Sequence, residues 1–414
     1  MPAPAAAASS DRLRSGSEPA AGSPLKPAVL FVWDYLGPYH VDRLEAAGAA
    51  LSETHRVIAV EVAGSSETYA WSQTGAIAGV ERVTLFPGGA AEKLPWWRVL
   101  PAYLRLCRRL DARHVFLCNY DRLENLLLAA ALRLAGRRAY LMFESKFDDY
   151  PRKLWRELMK LVYFLPYHGG IAGGTRSRDY LRWFGFRPRQ IALGYDTVSM
   201  ERVRGLAAAP AAPEGTPFAQ RHFVIVARLV PKKNVAMALE AYARYCRITG
   251  PSARELHVCG SGALESALRQ RARELGLAKA VFRGFIQAPD IARTLAQSLA
   301  LILPSTEEQW GLVVNEALAM GLPVICSSNV GARDLLVRTE VNGFVIEPDN
   351  AEGLARLMQR IGDDEALWRR LAENSRRLAA LADCRHFGAG AARLIGPPAR
   401  EMPGLEEALA MEMP

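Results

Sequence analysis

The stretch that decides the fold is Leu299-Ala300-Leu301-Ile302-Leu303, then Pro304-Ser305-Thr306-Glu307-Glu308-Gln309-Trp310-Gly311, then Leu312-Val313-Val314-Asn315-Glu316-Ala317-Leu318-Ala319-Met320-Gly321-Leu322-Pro323-Val324. Its first five residues are wholly apolar, as in a strand buried on both faces of a parallel sheet. Beyond Gly311 the period changes to that of a helix over 312–320, with Gly321 as its C-terminal cap and Pro323 releasing the chain into a second apolar strand at 324–326. Strand, loop, helix, strand is the unit of a doubly wound parallel sheet.

Ligands of such sheets gather at the carboxyl ends of the strands, where a helix N-terminus offers free amides to an anion. A phosphate over Gly311 and Leu312 would be flanked by Glu308 in the loop and Glu316 one turn into the helix, each able to hold hydroxyls. Hydroxyls on both sides of a diphosphate describe a nucleotide sugar. Two carboxylates taken in isolation are equally a solvated loop residue and a helix-face residue.

The unit repeats on both sides. Strands are expected at 28–33, 57–62, 83–86, 114–118, 139–143 and 169–173, with helices from about Val41, over 99–110, 125–134 and 153–165, and after Thr175. The Ala- and Pro-rich run 206–217 has linker composition. The alternation then restarts with strands at 223–226, 255–259 and 281–285 and a helix from Val235. The predicted organisation is a tail over 1–24, a Rossmann-like domain over 25–205, the linker, a second Rossmann-like domain over 218–395 and a tail over 396–414.

Several loops at strand ends carry candidate site residues. Arg228 and Lys233 leave the first strand of the second half together, and a guanidinium fork beside an ammonium suits a diphosphate. Gly260-Ser261-Gly262 is a tight strand-to-helix turn suited to a base or ribose; it is not the six-position dinucleotide fingerprint, because Glu265 stands at the third glycine position. In the first half, Gly37 sits in the first strand-to-helix loop, and Glu144 opens the polar run to Lys153 with Asp148 and Asp149 inside it.

The chain has 414 residues and a formal charge of +9, of which residues 26–204 carry +8, with 26 Lys and Arg against 18 Asp and Glu. That excess suits phosphate-bearing substrate or an anionic membrane surface, to which helix 153–165 and Trp96-Trp97-Arg98 would lend aromatic and basic residues. No groove-reading motif supports nucleic acid as a partner. The six cysteines lack any C-x-x-C pair and read as thiols of a reducing compartment. No run reaches the ~18 apolar residues of a spanning helix, and 1–24 lacks the apolar core of a leader. A cytoplasmic protein, at most membrane-associated, is expected.

Taken together, Arg228 with Lys233, the Gly260-Ser261-Gly262 turn, Glu308 with Glu316, and the segments 327–334 and 342–345 resemble the nucleotide-sugar half of retaining glycosyltransferases of the GT-B fold, family 4. The resemblance covers 220–350. It implies two facing Rossmann-like domains with a cleft between them, the last helices crossing back to the first domain, and a UDP- or GDP-type sugar donor with no cofactor or metal. It implies that Glu308 binds sugar hydroxyls, Glu316 the ribose, and Arg228 and Lys233 the diphosphate, helped by amides at Gly311 and Leu312. The acceptor would be a glycan or lipid-linked glycan, held by the basic first domain. One departure stands out: many members carry a His after the strand ending here at Phe143, where this sequence has Glu144-Ser145. Either Glu144 takes that place or the sugar is held differently; a subset of bacterial exopolysaccharide transferases is similar here, including the Gly194-Tyr195-Asp196 segment. A catalytically silent nucleotide-sugar-binding subunit and a nucleotide-sugar epimerase of related architecture are the competing classes.

Overall fold

Among the described residues, thirteen strands, all joined in parallel, build two sheets. The computed structural model describes residues 26–65, 75–149, 152–396 and Leu405, so the expectations for 1–24 and for most of 396–414, like Tyr150 and Pro151 of the polar run, lie outside the described residues. The first sheet holds β1 (Ala28–Trp33), β2 (Arg56–Ser65), β3 (Glu81–Ala90), β4 (Ala112–Leu117), β5 (Arg138–Phe143), β6 (Gly169–Ala172) and β7 (Ile191–Leu193) in the order 3-2-1-4-5-6-7. The second holds β8 (His222–Val226), β9 (Leu256–Cys259), β10 (Ala280–Gly284), β11 (Ser298–Leu303), β12 (Val324–Ser327) and β13 (Gly343–Ile346) in the order 10-9-8-11-12-13. Central strands such as β1 and β11 are buried along their whole length, which is why they read as unbroken apolar runs.

Each sheet reverses its winding once, between β1 and β4 in the first and between β8 and β11 in the second. Loops leaving those strands diverge and open a crevice, the place where open α/β sheets bind ligands. The two crevices face one another.

Helix boundaries moved from the sequence expectation where local chemistry overrode periodicity. The first helix begins at Pro38 rather than near Val41, because proline is preorganised for the first helical turn. The expected elements do not include a helix over Ala288–Gln297, which has Pro289 in its first turn and buries Ala292, Leu295 and Ala296. It packs against Met200–Ala207, so Leu206 and Ala207, read as the start of a linker, end a helix that is wedged between the domains. From there the chain crosses over 208–221, with Ala212 buried and its N–H donating to Met320 O at 2.8 Å.

A second crossing follows Leu378. Helix Arg385–Ile395 returns to the first sheet, setting Phe387 against Phe31 at 5.5 Å between ring centroids, while the Tyr140 hydroxyl donates to Leu394 O at 3.1 Å. All six cysteines are free thiols, five of them buried. Among the described residues no helix is long and apolar enough to cross a membrane.

Candidate active site

A cleft of about 570 Å³ lies between the two crevices. The second domain contributes Arg228, Lys232, Lys233, Glu308, Gln309, Trp310, Gly311 and Leu312; from the first come Asp34, Tyr39, His40, Arg43, Asn119, Glu144 and Asp196, among others.

The second-domain wall is built by backbone constraint. Gly311 has φ +102, and a Cβ there would stand 3.0 Å from the Leu303 side chain, so only glycine turns the loop tightly enough to present the first amides of helix Leu312–Ala319 to the cleft. Glu308 is ion-paired with Lys233 and accepts from Ser305 Oγ at 3.1 Å. The resemblance gave Glu308 to the sugar and Lys233 to the diphosphate; without ligand the two hold each other. Arg228 is exposed, and its side chain makes no hydrogen bond or ion pair with the described residues. A cationic lip over a helix N-terminus fits a diphosphate.

Gly260 and Gly262 serve the protein's own backbone. A Cβ on Gly260 would sit 1.9 Å from Ala227 O and one on Gly262 2.5 Å from Leu229 O, and the Leu229 N–H donates to Ser261 O at 2.8 Å. These two glycines let the loop that carries Arg228 lie directly on the neighbouring turn. Gly260 also lines a side cavity of about 180 Å³ with Arg228, Phe285 and Ile286; Gly262 does not. Gly37 does not line the cleft either: its φ of −104 suits any residue, and its N–H donates to His40 Nδ1 at 3.0 Å at the start of the first helix.

Glu316 lies behind the cleft wall rather than on it. Its carboxylate is buried and accepts from the Tyr39 hydroxyl of the first domain at 2.9 Å. Burial pushes the Glu316 carboxyl up, against the hydrogen bond from Tyr39, and burial likewise pushes the Tyr39 phenol up. This bond is one of the few direct links between the two walls.

The first-domain wall is a self-contained polar cluster. Arg43, buried on the first helix, lies over the Tyr195 ring at 4.5 Å, donates to Thr197 O at 3.1 Å and pairs with Asp196 at 3.5 Å. Burial, then the charge of Glu144, drive the Asp196 carboxyl well above its usual range, with Arg43 opposing. Glu144 lines the cleft and is raised too, chiefly by burial, with Asp149 and Glu308 adding repulsion and Arg43 pulling down. Burial and the Arg43 charge hold the His40 imidazole down to about 3, so His40 is neutral and stacks on Trp33 at 4.9 Å. Asp34, raised by burial, accepts from Asn119 at 2.8 Å and Arg122 at 3.0 Å.

Asp148 and Asp149, singled out in the polar run, are structural. Asp149 pairs with buried Lys146 at 2.8 Å; Asp148 pairs with Arg176, which also grips Asp334 of the second domain at 2.6 Å. Residues missed in the sequence include Tyr39, His40, Arg43 and Trp310. Trp310 Nε1 donates to Asn315 at 2.9 Å, and Asn315 donates to Asp196 O at 2.9 Å across the domain boundary. Part of the signal for Arg43 was available: it shares the buried side of the first helix with Asp42, Leu44 and Ala47, and a buried cation has to meet an anion.

Comparison with known proteins agrees with this architecture. Residues 212–378 match the family profile described as "Glycosyl transferases group 1". A D-inositol 3-phosphate glycosyltransferase of Streptomyces bingchenggensis is 31% identical over 218 residues, 50% of this chain and 47% of that protein. The amylovoran biosynthesis glycosyltransferase AmsK of Erwinia amylovora is 31% identical over 150 residues, 34% and 36% of the two chains. The match thus spans about half or less of these curated relatives. Among solved structures, a sucrose-phosphate synthase of Thermosynechococcus elongatus superposes with a TM-score of 0.67 at 18% identity, over 89% of this chain and 98% of that one. Anabaena HepE in complex with UDP gives 0.65 at 17%, over 90% and 99%. The second domain therefore matches the group 1 glycosyltransferase family, within a chain whose two domains together have the GT-B fold.

Proposed function

We propose that the protein is a retaining, metal-independent glycosyltransferase, acting in the cytoplasm, that moves a hexose from a UDP- or GDP-type sugar to a glycan or lipid-linked acceptor. The observation that carries this reading is the placement of Arg228, Lys233, Glu308 and a glycine-opened helix N-terminus on one wall of a cleft whose other wall presents Glu144 and the Arg43–Asp196 pair. The leaving diphosphate gains charge as the glycosidic bond breaks. Arg228, Lys233 and the amides at Gly311 and Leu312 would take up that charge with groups already in place. Insertion of the diphosphate frees Glu308 from Lys233 to accept from sugar hydroxyls, and Glu316 exchanges its Tyr39 partner for the ribose. The base fits the side cavity beside Gly260 and Ile286. Glu144 stands on the sugar side, where a raised carboxyl can donate as well as accept a hydrogen bond.

HepE was solved with UDP and with UDP and glucose, and the amylovoran protein is named for a polysaccharide; both support a nucleotide-sugar donor and a glycan product here. Six free thiols suit a reducing compartment. The test is thermal stabilisation by UDP, GDP and ADP and their sugars, followed by nucleotide release with and without acceptor. Acceptor-dependent release, an α-linked product from an α-linked donor, and loss of both in Glu308→Ala are expected. Release without acceptor favours the epimerase class, stabilisation without release a silent subunit, and no stabilisation by any nucleotide overturns the reading.

A further inference from the structure

The helix Leu154–Phe164 turns the wrong side of itself to water. Leu154, Trp155, Leu158, Met159, Leu161 and Val162, with Leu165 just beyond the helix, are all between 37% and 68% exposed. At 100° per residue these seven fall in one unbroken arc of about 160° that holds no other side chain. Only Glu157 and Phe164 point into the protein. The exposed cations Lys153 and Arg156 lie on the remaining side of the helix, while Lys160 turns in to Glu157. The one acid, Glu157, is held internally by Arg152 at 3.2 Å, by Lys160 at 3.0 Å and by the Tyr180 hydroxyl. It therefore presents no charge to whatever covers the face.

The surroundings extend the same character. Arg133 of helix Leu123–Leu134 donates to Leu165 O at 3.1 Å, and the neighbouring Leu134 is fully exposed. The next helix along that face, Trp96–Arg109, exposes Trp96 and Trp97 and carries Arg98, Arg105, Arg108 and Arg109 without an acidic residue. A contiguous apolar face of this extent is unusual on a free monomer. An apolar face with a fringe of cations matches one surface chemistry closely: acyl chains below, anionic headgroups at the rim.

We propose that this face docks on an anionic lipid bilayer, with helix Leu154–Phe164 lying in the headgroup layer. The proposal stands apart from the donor chemistry, because docking needs no substrate. Glu144, on the cleft, opens the loop that ends at Leu154, so docking holds the acceptor side of the cleft next to the membrane; that consequence alone rests on the glycosyl-transfer reading.

The experiment is flotation of the full chain with phosphatidylcholine vesicles, with and without phosphatidylglycerol, beside size-exclusion chromatography and UDP-induced thermal shift. Binding to the anionic vesicles only, weakened by salt, is expected. Leu158→Glu should lower it at least about tenfold, the loss of one buried leucine, and Arg156→Ala about fivefold, one surface cation, with melting temperature and UDP shift unchanged. Absence of binding, equal binding to neutral vesicles, or binding indifferent to Leu158→Glu overturns the proposal. So does a dimer dissolved by Leu158→Glu without vesicle binding, which would assign the face to a second copy. A monomer that ignores vesicles would leave the face to a protein partner and overturn it equally.

Discussion

The two walls of the cleft sit at equivalent points of equivalent sheets and are satisfied in opposite ways. On the second-domain wall Arg228 is unpaired among the described residues, the helix amides at Gly311 and Leu312 are open, and Lys233 is ion-paired with Glu308, which also accepts from Ser305. On the first-domain wall nearly every charge is answered from within: Asp34 by Arg122 and Asn119, Asp196 by Arg43, His40 by neutrality. One wall awaits charge from a ligand; the other is a finished, largely neutral shape. On the proposed function, a nucleotide would bring the anion that the second-domain wall lacks, and an acceptor would be selected on the first-domain wall by fit.

The contrast can be broken most forcefully at Arg43. Arg43→Met leaves Asp196 and Glu144 facing each other without a cation, and opening a buried pair costs on the order of 3–5 kcal/mol. Both carboxyls are already raised, and the substitution raises them further. A group with a raised folded pKa stabilises the fold at low pH and loses that contribution as pH climbs through the folded value. Denaturant titrations should therefore find the variant's deficit large at pH 8 and small near pH 4; a deficit independent of pH would mean the wall is not held by these charges.

Lys233→Ala tests the other wall, and here the loss should fall on chemistry. Removing one preorganised stabiliser of developing charge lowers kcat by about 10²–10³-fold, with the melting temperature nearly unmoved because Lys233 and Glu308 sit at the cleft surface. Steady-state kinetics with saturating donor measure it. Near-normal turnover would place the diphosphate elsewhere.

Tyr39→Phe sharpens the link between the walls. If Glu316 must leave Tyr39 to take a ribose, deleting the hydroxyl removes a hydrogen bond worth about 0.5–1.5 kcal/mol, and UDP should bind about 2–12-fold tighter by calorimetry. Weaker binding would mean that Tyr39 itself contacts the nucleotide.

The smallest effect is at His40. Its folded pKa is depressed to about 3, so its contribution to stability is intact above the ordinary value of 6.5 and is lost as pH falls from there towards 3. At pH 6 the loss is about 0.8 kcal/mol from the linkage relation with an unfolded value of 6.5. His40→Asn should not show it, as thermal melts at pH 6 and pH 8 will tell.

The same asymmetry explains what could be read from the chain. Apolar runs such as 299–303 and 324–327 announced their strands because both faces are buried. Arg228, Lys233, Glu308 and Gly311, which line the cleft, could be singled out because they sit in loops at strand ends, where no packing reason explains them. Tyr39 was not visible and the partner of Arg43 could not be named, since Glu316 and Asp196 stand 277 and 153 positions away and periodicity reports only neighbours; Trp310 bonds Asn315 only five positions on, but its role rests on the onward bond from Asn315 to Asp196, 119 positions away. Helix Ala288–Gln297 was legible too, from Pro289 and Asp290 in its first turn and Ile291 and Leu295 one turn apart, yet it is absent from the expected elements.

The chain passes between its domains twice, over 208–221 and again after Leu378, and Asn315 touches both the Asp196 carbonyl and, at 3.4 Å, the Ala382 carbonyl of the second passage. Beside it the Val198 N–H donates to Ala382 O at 3.1 Å and the Cys384 N–H to Val198 O at 2.9 Å. Two fixed points define an axis. The domains are thus joined like a door on two hinge pins rather than beads on a string: a swivel or a slide would have to tear the backbone hydrogen bonds at the crossings. A swing about that line that parts the lips at Arg228 and Glu144 would have to break the Tyr39–Glu316 and Arg176–Asp334 contacts, so the same line that permits the motion also sets which bonds resist it.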